Sequence, residues 1–481
     1  MLSKENIINK LREGYTPIEL SPKDELTSIY KQAFKPQIDK KNLDIFFELY
    51  DTNEVILRAW GFLGVYHILK EKKIGDKEKR LKVKEMVLEV LHDKREIYYY
   101  GGTTEVRTPL REHHVRRICE LDTALIFEPV YKYCNSFEDE VDEVLMDLLE
   151  NVLSKVSNPA IESLLLKHAK RINKGEFNMK IHIVNAFENL GQIIELKGTD
   201  AIRDLFKSFL NEIEHDKNND QENLYKKQQL HKTILKVAAI IDLDLEDETL
   251  EFVDSLKYPF SSLNQIAKKY KNNQRFKSIL LRKLKEGNNP RFITDILKAI
   301  LVLKENIKNW KDLVIEQVKK YQLTDGILIT EMQESNLINE EMILSFLGKG
   351  ESWYLDFIRE YLIYNPEILD EWQGLKNEFI RVLQLFDQSA DNYKILKAKK
   401  ELILKLIIDL KREDLVKYCL ENFKNLNDNQ LKKIALFPIL KFGEESLLLE
   451  LRELMKDNEE TAKFVRSFWG RLERNDWRFF Y

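Results

Sequence analysis

Apolar residues recur with a helical period along most of this 481-residue chain. Between positions 141 and 156 they fall at intervals of three and four residues, which places them on one face of a helix. Acidic residues take the intervening positions. The apolar set is Val141, Val144, Leu145, Leu148, Leu149, Val152 and Val156. Such patterns predict amphipathic helices, and units of about 20 to 25 residues accommodate about twenty of them.

Proline positions support a helical chain. Five of the ten prolines follow a residue whose side chain caps a helix, and the missing N–H of proline is tolerated in a first helical turn. These pairs are Ser21-Pro22, Thr108-Pro109, Asn158-Pro159, Asn289-Pro290 and Asn365-Pro366. We expect each pair to begin a helix.

Composition excludes several classes of protein. Only 16 glycines and 10 prolines are present, too few turn formers for an all-β chain of this length. The charged fraction is 33%, yet 77 basic and 81 acidic residues give a net charge of −4. A global field that attracts nucleic acid is therefore not expected. The length exceeds one compact core, which favours an elongated array.

Cysteine use and hydropathy place the protein in the cytoplasm. Cys119, Cys134 and Cys419 are too few and too scattered to form a disulfide framework. The N-terminus lacks the apolar core of a signal peptide, and no run approaches the ~18 apolar residues of a membrane span. We expect no membrane association.

Two segments of the chain share a pattern of small residues. Asp51 to Gly64 reads DTNEVILRAWGFLG, and His182 to Gly191 reads HIVNAFENLG. They align on Ala59 with Ala186 and on Gly64 with Gly191. Small residues at fixed places let one helix lie close against the next, as stacked helical repeats require.

The segment from Asn42 to Leu69 resembles a HEAT repeat, in which two antiparallel helices form one unit. Two further stretches, with Pro129 and Pro438 inside apolar runs, resemble the kinked first helix of that repeat. Because the two small-residue patterns lie 127 positions apart with no regular copies between them, the repeats are degenerate. The resemblance implies an all-α, HEAT-like α-solenoid with a binding face, and it implies no catalytic residue.

Weak polar breaks suggest four regions. Residues 1–40, with three prolines, are expected to form an irregular N-terminal cap, and 41–215 the N-terminal repeats. The polar stretch from His215 to Asn223 is either a solvated loop or a polar helix end, and Lys285 to Pro290 is a turn. We therefore expect middle helical repeats at 216–288 and C-terminal repeats with an aromatic and basic cap at 289–481.

One segment departs from the helical pattern. Residues 96–108, EIYYYGGTTEVRT, read as two short strands around a Gly-Gly turn, which predicts a small β-hairpin insertion. The candidate site combines three tyrosines of this segment with the basic side chains of residues 107–117, whose local charge is +3 with Glu112 subtracted and histidine neutral. Its residues are Tyr98, Tyr99, Tyr100, Arg107, Arg111, His113, His114, Arg116 and Arg117. The segment is either a structural hairpin that shields one edge of the array or a site for a phosphate, an acidic peptide or another partner.

A metal site in this segment is not expected. Cys119 lies six residues from His113 and five from His114, so neither pair has the i, i+4 spacing that aligns two ligands on a helix. The chain also lacks an HExxH motif, a glycine-rich phosphate loop and a GxSxG motif. We predict no cofactor, no metal and no catalytic residue, and enzymatic activity is left open with a non-catalytic role favoured.

The C-terminus combines basic and aromatic residues. Its secondary interaction candidates are Arg471, Arg474, Trp477 and Arg478. Such a mixture caps a terminal repeat, docks a protein or contacts single-stranded nucleic acid.

The favoured function is a non-catalytic α-solenoid scaffold or adaptor that binds a protein along its concave face. One alternative is a HEAT-like protein that binds or processes nucleic acid. A third is a HEAT-like lyase or protein-modifying enzyme, which rests on fold analogy alone.

Overall fold

The computed structural model describes residues 3–15, 29–71, 74–101, 104–194, 198–216, 220–385, 393–426 and 428–472. These residues form 27 α-helices and one two-stranded antiparallel sheet. The chain divides into two compact units, unit 1 at Met1–Glu251 and unit 2 at Phe252–Tyr481. The four regions expected from the sequence stay a prediction.

Unit 1 holds the hairpin and the first helices. In chain order they are α1 (Lys4–Arg12), a π-helical turn (Tyr30–Phe34), α2 (Lys35–Asp39), α3 (Leu43–Tyr50), α4 (Val55–Glu71), α5 (Lys77–His92), β1 (Glu96–Gly101), β2 (Thr104–Pro109), α6 (Leu110–Cys119), α7 (Thr123–Ser136), α8 (Glu143–Asn151), a 3₁₀ turn (Leu153–Lys155), α9 (Ala160–Ala169), α10 (Phe177–Ile194), α11 (Asp200–His215) and α12 (Gln221–Ile240).

Among its described residues, unit 2 contains helices and no strand. The division between the units falls inside α13. The elements of unit 2 are α13 (Glu246–Ser255), α14 (Leu263–Lys269), α15 (Gln274–Glu286), α16 (Pro290–Val302), a 3₁₀ turn (Lys304–Asn306), α17 (Trp310–Tyr321), α18 (Gly326–Glu334), α19 (Glu340–Lys349), α20 (Ser352–Tyr364), α21 (Ile368–Glu371), α22 (Gln373–Gln384), α23 (Tyr393–Asp409), a 3₁₀ turn (Glu413–Leu415), α24 (Val416–Asn425), α25 (Asn429–Phe442), α26 (Glu445–Asp457) and α27 (Glu459–Leu472).

Helices two positions apart in the chain pack against each other within each unit. In unit 1, α6 packs on α8, α8 on α10, and α10 on α12. In unit 2, α14 packs on α16, α16 on α18, and α18 on α20. This sequential contact is typical of helical repeats, in which each unit buries its apolar stripe against its neighbours. The expected all-α architecture of sequentially packed helices with a small hairpin is confirmed for the described residues.

The structure refines the expected helices in two respects. The described residues contain more helices than the expected twenty because several are short, and α21 has only four residues. The apolar run from 141 to 156 divides into α8 and the following 3₁₀ turn. Pro129 and Pro438 lie inside α7 and α25, as expected. Asn289 caps α16 by accepting the amides of residues 291 and 292, with Pro290 in the first turn.

Small residues mark the closest helix contacts. A Cβ atom added to Gly61 would lie 2.6 Å from the backbone nitrogen of Tyr50, and one added to Gly64 would lie 2.2 Å from the Phe46 ring. In the second segment, a Cβ on Gly191 would lie 2.6 Å from Ile241. The segment Asp51–Gly64 therefore packs on the preceding helix, α3, whereas His182–Gly191 packs on the end of α12.

The N-terminal segment is held against α4. Trp60 donates through its indole nitrogen to the carbonyl oxygens of Leu11 (3.1 Å) and Gly14 (2.9 Å). The Tyr15 ring contacts Trp60 edge-on, with ring centroids 4.9 Å apart. A buried indole thus satisfies two carbonyls where the chain passes over the first repeat.

Replacing Ala59 or Ala186 with leucine should lower the free energy of unfolding by about 1–3 kcal/mol, because both residues are completely buried and a larger side chain would overpack the contact. Urea unfolding of the full chain measures the change. Ala201→Leu, at an exposed position of α11, is the matched control and should alter stability by less than about 0.5 kcal/mol. Unchanged stability at both buried positions would contradict the repeat register.

Candidate binding cleft

The hairpin presents an exposed pair of side chains. Tyr98 and Arg107 are direct cross-strand partners in the antiparallel register. The guanidinium carbon of Arg107 lies 4.2 Å from the Tyr98 ring centroid, a cation–π contact. Tyr98 is 41% exposed, and the Arg107 side chain is 63% exposed. Both side chains are therefore accessible on the surface of the hairpin.

The two histidines belong to the packing between the hairpin and the N-terminal segment. His113 Nε2 lies 2.9 Å from the Tyr15 hydroxyl, and its ring contacts Tyr99 and His114, each with centroids 4.8 Å apart. Burial and, to a smaller extent, the neighbouring Arg117 charge lower the pKa of His113 to about 3. Burial, as the main cause, also lowers the pKa of the fully buried His114 well below its usual value. Both rings are neutral in the folded protein at neutral pH.

Arg111 joins α6 to the start of α8. Its Nη2 lies 2.7 Å from a carboxylate oxygen of Asp142, and both side chains are largely buried. Asp142 also caps α8 by accepting the amide of Leu145 at 2.9 Å. Arg111 Nη1 donates to the Tyr133 hydroxyl at 3.4 Å. This arginine is therefore part of the structure of the repeat.

The remaining helical arginines differ in exposure. Arg117 is buried and donates through Nη1 to the backbone oxygen of His113 at 2.8 Å. Arg116 is exposed. Of the four predicted arginines, Arg107 and Arg116 are exposed, with Arg107 3.9 Å from a carboxylate oxygen of Glu96, whereas Arg111 and Arg117 hold the local structure together.

A cleft of about 840 Å³ lies beside α6 in unit 1, and we call it the hairpin cleft. One side combines the hairpin and α6; the other combines the α7–α8 connection, α8 and the start of α10. Its lining residues are Lys94, Tyr99, Thr108, Arg111, Glu112, His113, Val115, Arg116, Arg117, Asp139, Glu140, Val141, Asp142, Glu143, Val144, Asp147, Asn173, Glu176 and Met179. The structure thus brings five of the predicted site residues into one cleft.

The cleft is acidic despite the basic segment that borders it. Its lining carries four basic and seven acidic side chains, a formal net charge of −3 with His113 neutral. Lys94 pairs with Asp139 at 2.6 Å, which lowers the pKa of that carboxyl. Glu143 and Asp147 have no ion pair within 4 Å among the described residues, and burial raises the pKa of Asp147.

The acidic residues of the α7–α8 connection and α8, which form an acidic wall of the hairpin cleft, were not predicted from the sequence as part of a site. A signal for them is present, because residues 119–150 contain ten acidic side chains and a single basic one, Lys132. The apolar periodicity of this stretch indicates which face packs in the core, but not what its acidic face lies against. That the polar face lies opposite the basic segment follows only from the packing of α6 on α8.

Cys119 packs in the interior near α8. Its Sγ lies 3.7 Å from the backbone oxygen of Asp147, and burial raises its pKa to about 12. A thiol in this state is a poor nucleophile and a poor metal ligand at neutral pH. Among the described residues, no group of three or more histidine, cysteine, aspartate and glutamate side chains is arranged to hold a metal ion.

Some predicted residues lie outside the described part of the chain. Arg474, Trp477 and Arg478 follow the last described residue, and Arg471 is described only as part of the α27 backbone. The backbone of Tyr100 pairs with that of Glu105 in the hairpin, and its side chain is not described.

Comparison with known proteins finds similarity only among solved structures. A scan against protein-family models and a search of curated proteins each found no match. The structure of yeast importin-beta (Kap95p) is 12% identical, with 96% of this chain and 61% of that chain covered and a TM-score of 0.41. A Kap95:Nup1 complex gives 13% identity, the same coverage and the same TM-score. An engineered protein gives 11% identity, 92% and 95% coverage, and a TM-score of 0.31.

These similarities are confined to helical architecture and identify no partner for this chain. No helix in the described ranges has both the length and the apolar character needed to cross a membrane.

Arg111→Ser should lower the free energy of unfolding by about 1–3 kcal/mol, because it leaves Asp142 without its charged partner in a largely buried position. Arg107→Ser, at the exposed position, is the matched control and should change stability by less than about 0.5 kcal/mol. Chemical denaturation of both variants decides between these roles, and equal effects would contradict the division into structural and exposed arginines.

Stability should fall as the pH falls from about 6.5 towards 3. The ordinary pKa of histidine is 6.5, whereas that of folded His113 is about 3, so within this window the unfolded chain binds a proton at this position and the folded chain does not. The contribution of His113 is about 1.4 kcal/mol per pH unit. His113→Asn should reduce the measured slope of unfolding free energy against pH by that amount.

The exposed His215 provides a control for this measurement. His215→Asn should keep the pH dependence of the parent chain. An unchanged slope in His113→Asn would show that folded His113 keeps its ordinary pKa. It would contradict the burial of this side chain.

Proposed function

We propose that this chain is a non-catalytic helical-repeat scaffold that binds a segment of a protein partner in the hairpin cleft. The observation that carries the proposal is the cleft itself, which gathers Tyr99 and Arg116 opposite the unpaired carboxylates of Glu143 and Asp147. Loops inserted into repeat arrays commonly carry binding, because the rigid helices beneath them hold their position.

The charge of the cleft favours a partner segment that is positively charged. Two of the four predicted arginines are already engaged by Asp142 and by the His113 carbonyl, so they are not available to an anion. Carboxylates outnumber cations in the lining. Lysine or arginine side chains of a partner would pair with Glu143 and Asp147, and Arg116 would accommodate an occasional acidic residue.

One feature supports binding over catalysis at this site, and a second disfavours nucleic acid as its ligand. Burial leaves His113 with a pKa far below neutrality and Cys119 with a pKa far above it, so neither is poised for proton transfer or nucleophilic attack near pH 7. The net negative charge also disfavours a phosphodiester backbone in this cleft.

Fluorescein-labelled octalysine and octaglutamate peptides test the charge preference on the full chain. Octalysine should bind more tightly, and Glu143→Gln combined with Asp147→Asn should weaken it by about 3- to 10-fold, since each accessible ion pair contributes about 0.2–1 kcal/mol. Fluorescence anisotropy at low ionic strength measures both affinities.

A matched control removes two exposed acids elsewhere in unit 1, with Glu85→Gln and Glu214→Gln. This variant should bind octalysine as the parent does. Octaglutamate that binds more tightly than octalysine, and loses this binding in an Arg107→Ser, Arg116→Ser double variant, would overturn the cationic partner. It would instead support an anionic ligand, one of the alternatives that the sequence left open.

A further inference from the structure

Positive charge is concentrated at the start of unit 2, far along the sequence from the hairpin. Residues 252–300 contain eleven lysines and arginines against three acidic residues, whereas the whole chain has a net charge of −4. Within this stretch, residues 268–277 hold five basic side chains and no acidic one. Such a local excess of basic residues creates a positive field that the net charge of the whole chain does not reveal.

Two inter-helix turns combine into one basic surface. The first joins α14 to α15, and the second follows α16. Lys277 Nζ donates to the backbone oxygen of Asn306 at 2.9 Å, and Asn306 Nδ2 donates to the backbone oxygen of Lys271 at 2.9 Å. These bonds hold the turns side by side. We call residues 268–277 and 304–311 together the basic edge, which contains eight basic residues and one acidic residue, Glu305.

Several cations of the basic edge are accessible. Lys268, Lys271, Lys308 and Lys311 are all exposed, and none has a carboxylate within 4 Å among the described residues. Elsewhere in unit 2 the described lysines at positions 298, 376 and 397 each pair with an aspartate. These four lysines therefore present charge that no ion pair within the described residues engages.

An aromatic side chain lies among these cations. Trp310 is half-buried at the start of α17, and the ammonium groups of Lys304 and Lys311 lie 6.0 Å and 5.8 Å from its ring centroid. Asn309, just before it, has φ +59°, a left-handed conformation that turns the chain into the helix. An indole next to mobile ammonium groups offers a nucleobase a stacking surface and offers the adjoining phosphates charge.

We infer that the basic edge binds single-stranded nucleic acid, with Lys268, Lys271, Lys308 and Lys311 at the phosphates and Trp310 stacked on a base. Charge alone would suit any polyanion. The indole favours a single strand, because its bases are free to stack on a side chain, whereas those of a duplex are paired and stacked on one another. The basic edge shares no residue with the hairpin cleft, and it adds a second ligand class to the proposed scaffold.

Binding of a fluorescein-labelled 20-nucleotide single-stranded DNA and RNA to the full chain tests this inference. Replacing the four lysines with glutamine should weaken binding by about tenfold or more at ~0.1 M salt. The slope of log affinity against log salt should become shallower by about 3, since each phosphate contact contributes about 0.7. Trp310→Leu should weaken binding by about 5-fold or more and leave the slope unchanged.

The control variant removes the same charge from exposed lysines elsewhere in unit 2, with Lys394→Gln, Lys411→Gln, Lys417→Gln and Lys441→Gln. Its affinity should match that of the parent chain. Equal losses in the two lysine variants would overturn the inference. Displacement of the oligonucleotide by octaglutamate at equal charge concentration would also contradict it. So would a duplex that binds as tightly as the single strand, together with unchanged binding by Trp310→Leu.

Discussion

Each helix buries its apolar stripe against its neighbours in the chain, either the next helix or the one two positions further along, and the rest of this structure depends on that packing. An isolated helix pair of this kind cannot bury enough apolar surface on its own. The distance between neighbours is therefore critical, and glycines occupy the closest contacts. Gly61 lies against the backbone of α3, and Gly191 lies against Ile241. Larger side chains at these positions would separate the helices that share the core.

The hairpin is the main departure from this sequential packing, and its surroundings show how a site is built on such an array. Its strands lead directly into α6, whose packing on α8 sets the basic segment opposite an acidic wall. The Arg111–Asp142 ion pair closes one end of this arrangement and also stabilises the start of α8. Structural and accessible charges therefore alternate within one short segment, in which Arg107 and Arg116 are exposed and Arg111 and Arg117 are buried.

Charge is distributed unevenly between the two units. Residues 1–251 contain 38 basic and 46 acidic residues, and residues 252–481 contain 39 and 35. The near-neutral total thus combines an acidic unit, net −8, with a basic one, net +4. Because screening limits electrostatic interactions to about 10 Å at moderate salt, a ligand responds to the local excess and not to the total. The hairpin cleft and the basic edge are local excesses of opposite sign.

The sequence by itself determined the secondary structure and the class of fold. Helical periodicity, capping residues before prolines and the Gly-Gly turn depend on neighbours within a few positions, so the hairpin at 96–109 and the proline-containing helices α7 and α25 could be predicted. The small residues Ala59 and Ala186 likewise marked buried helix contacts. Tertiary structure alone decided which charges remain available. Arg111 is neutralised by Asp142, 31 positions away, and Lys94 by Asp139, 45 positions away. The Lys271 and Asn306 turns meet through a hydrogen bond across 35 positions. Local pattern cannot reveal such pairings, because they arise when helices separated in sequence pack side by side.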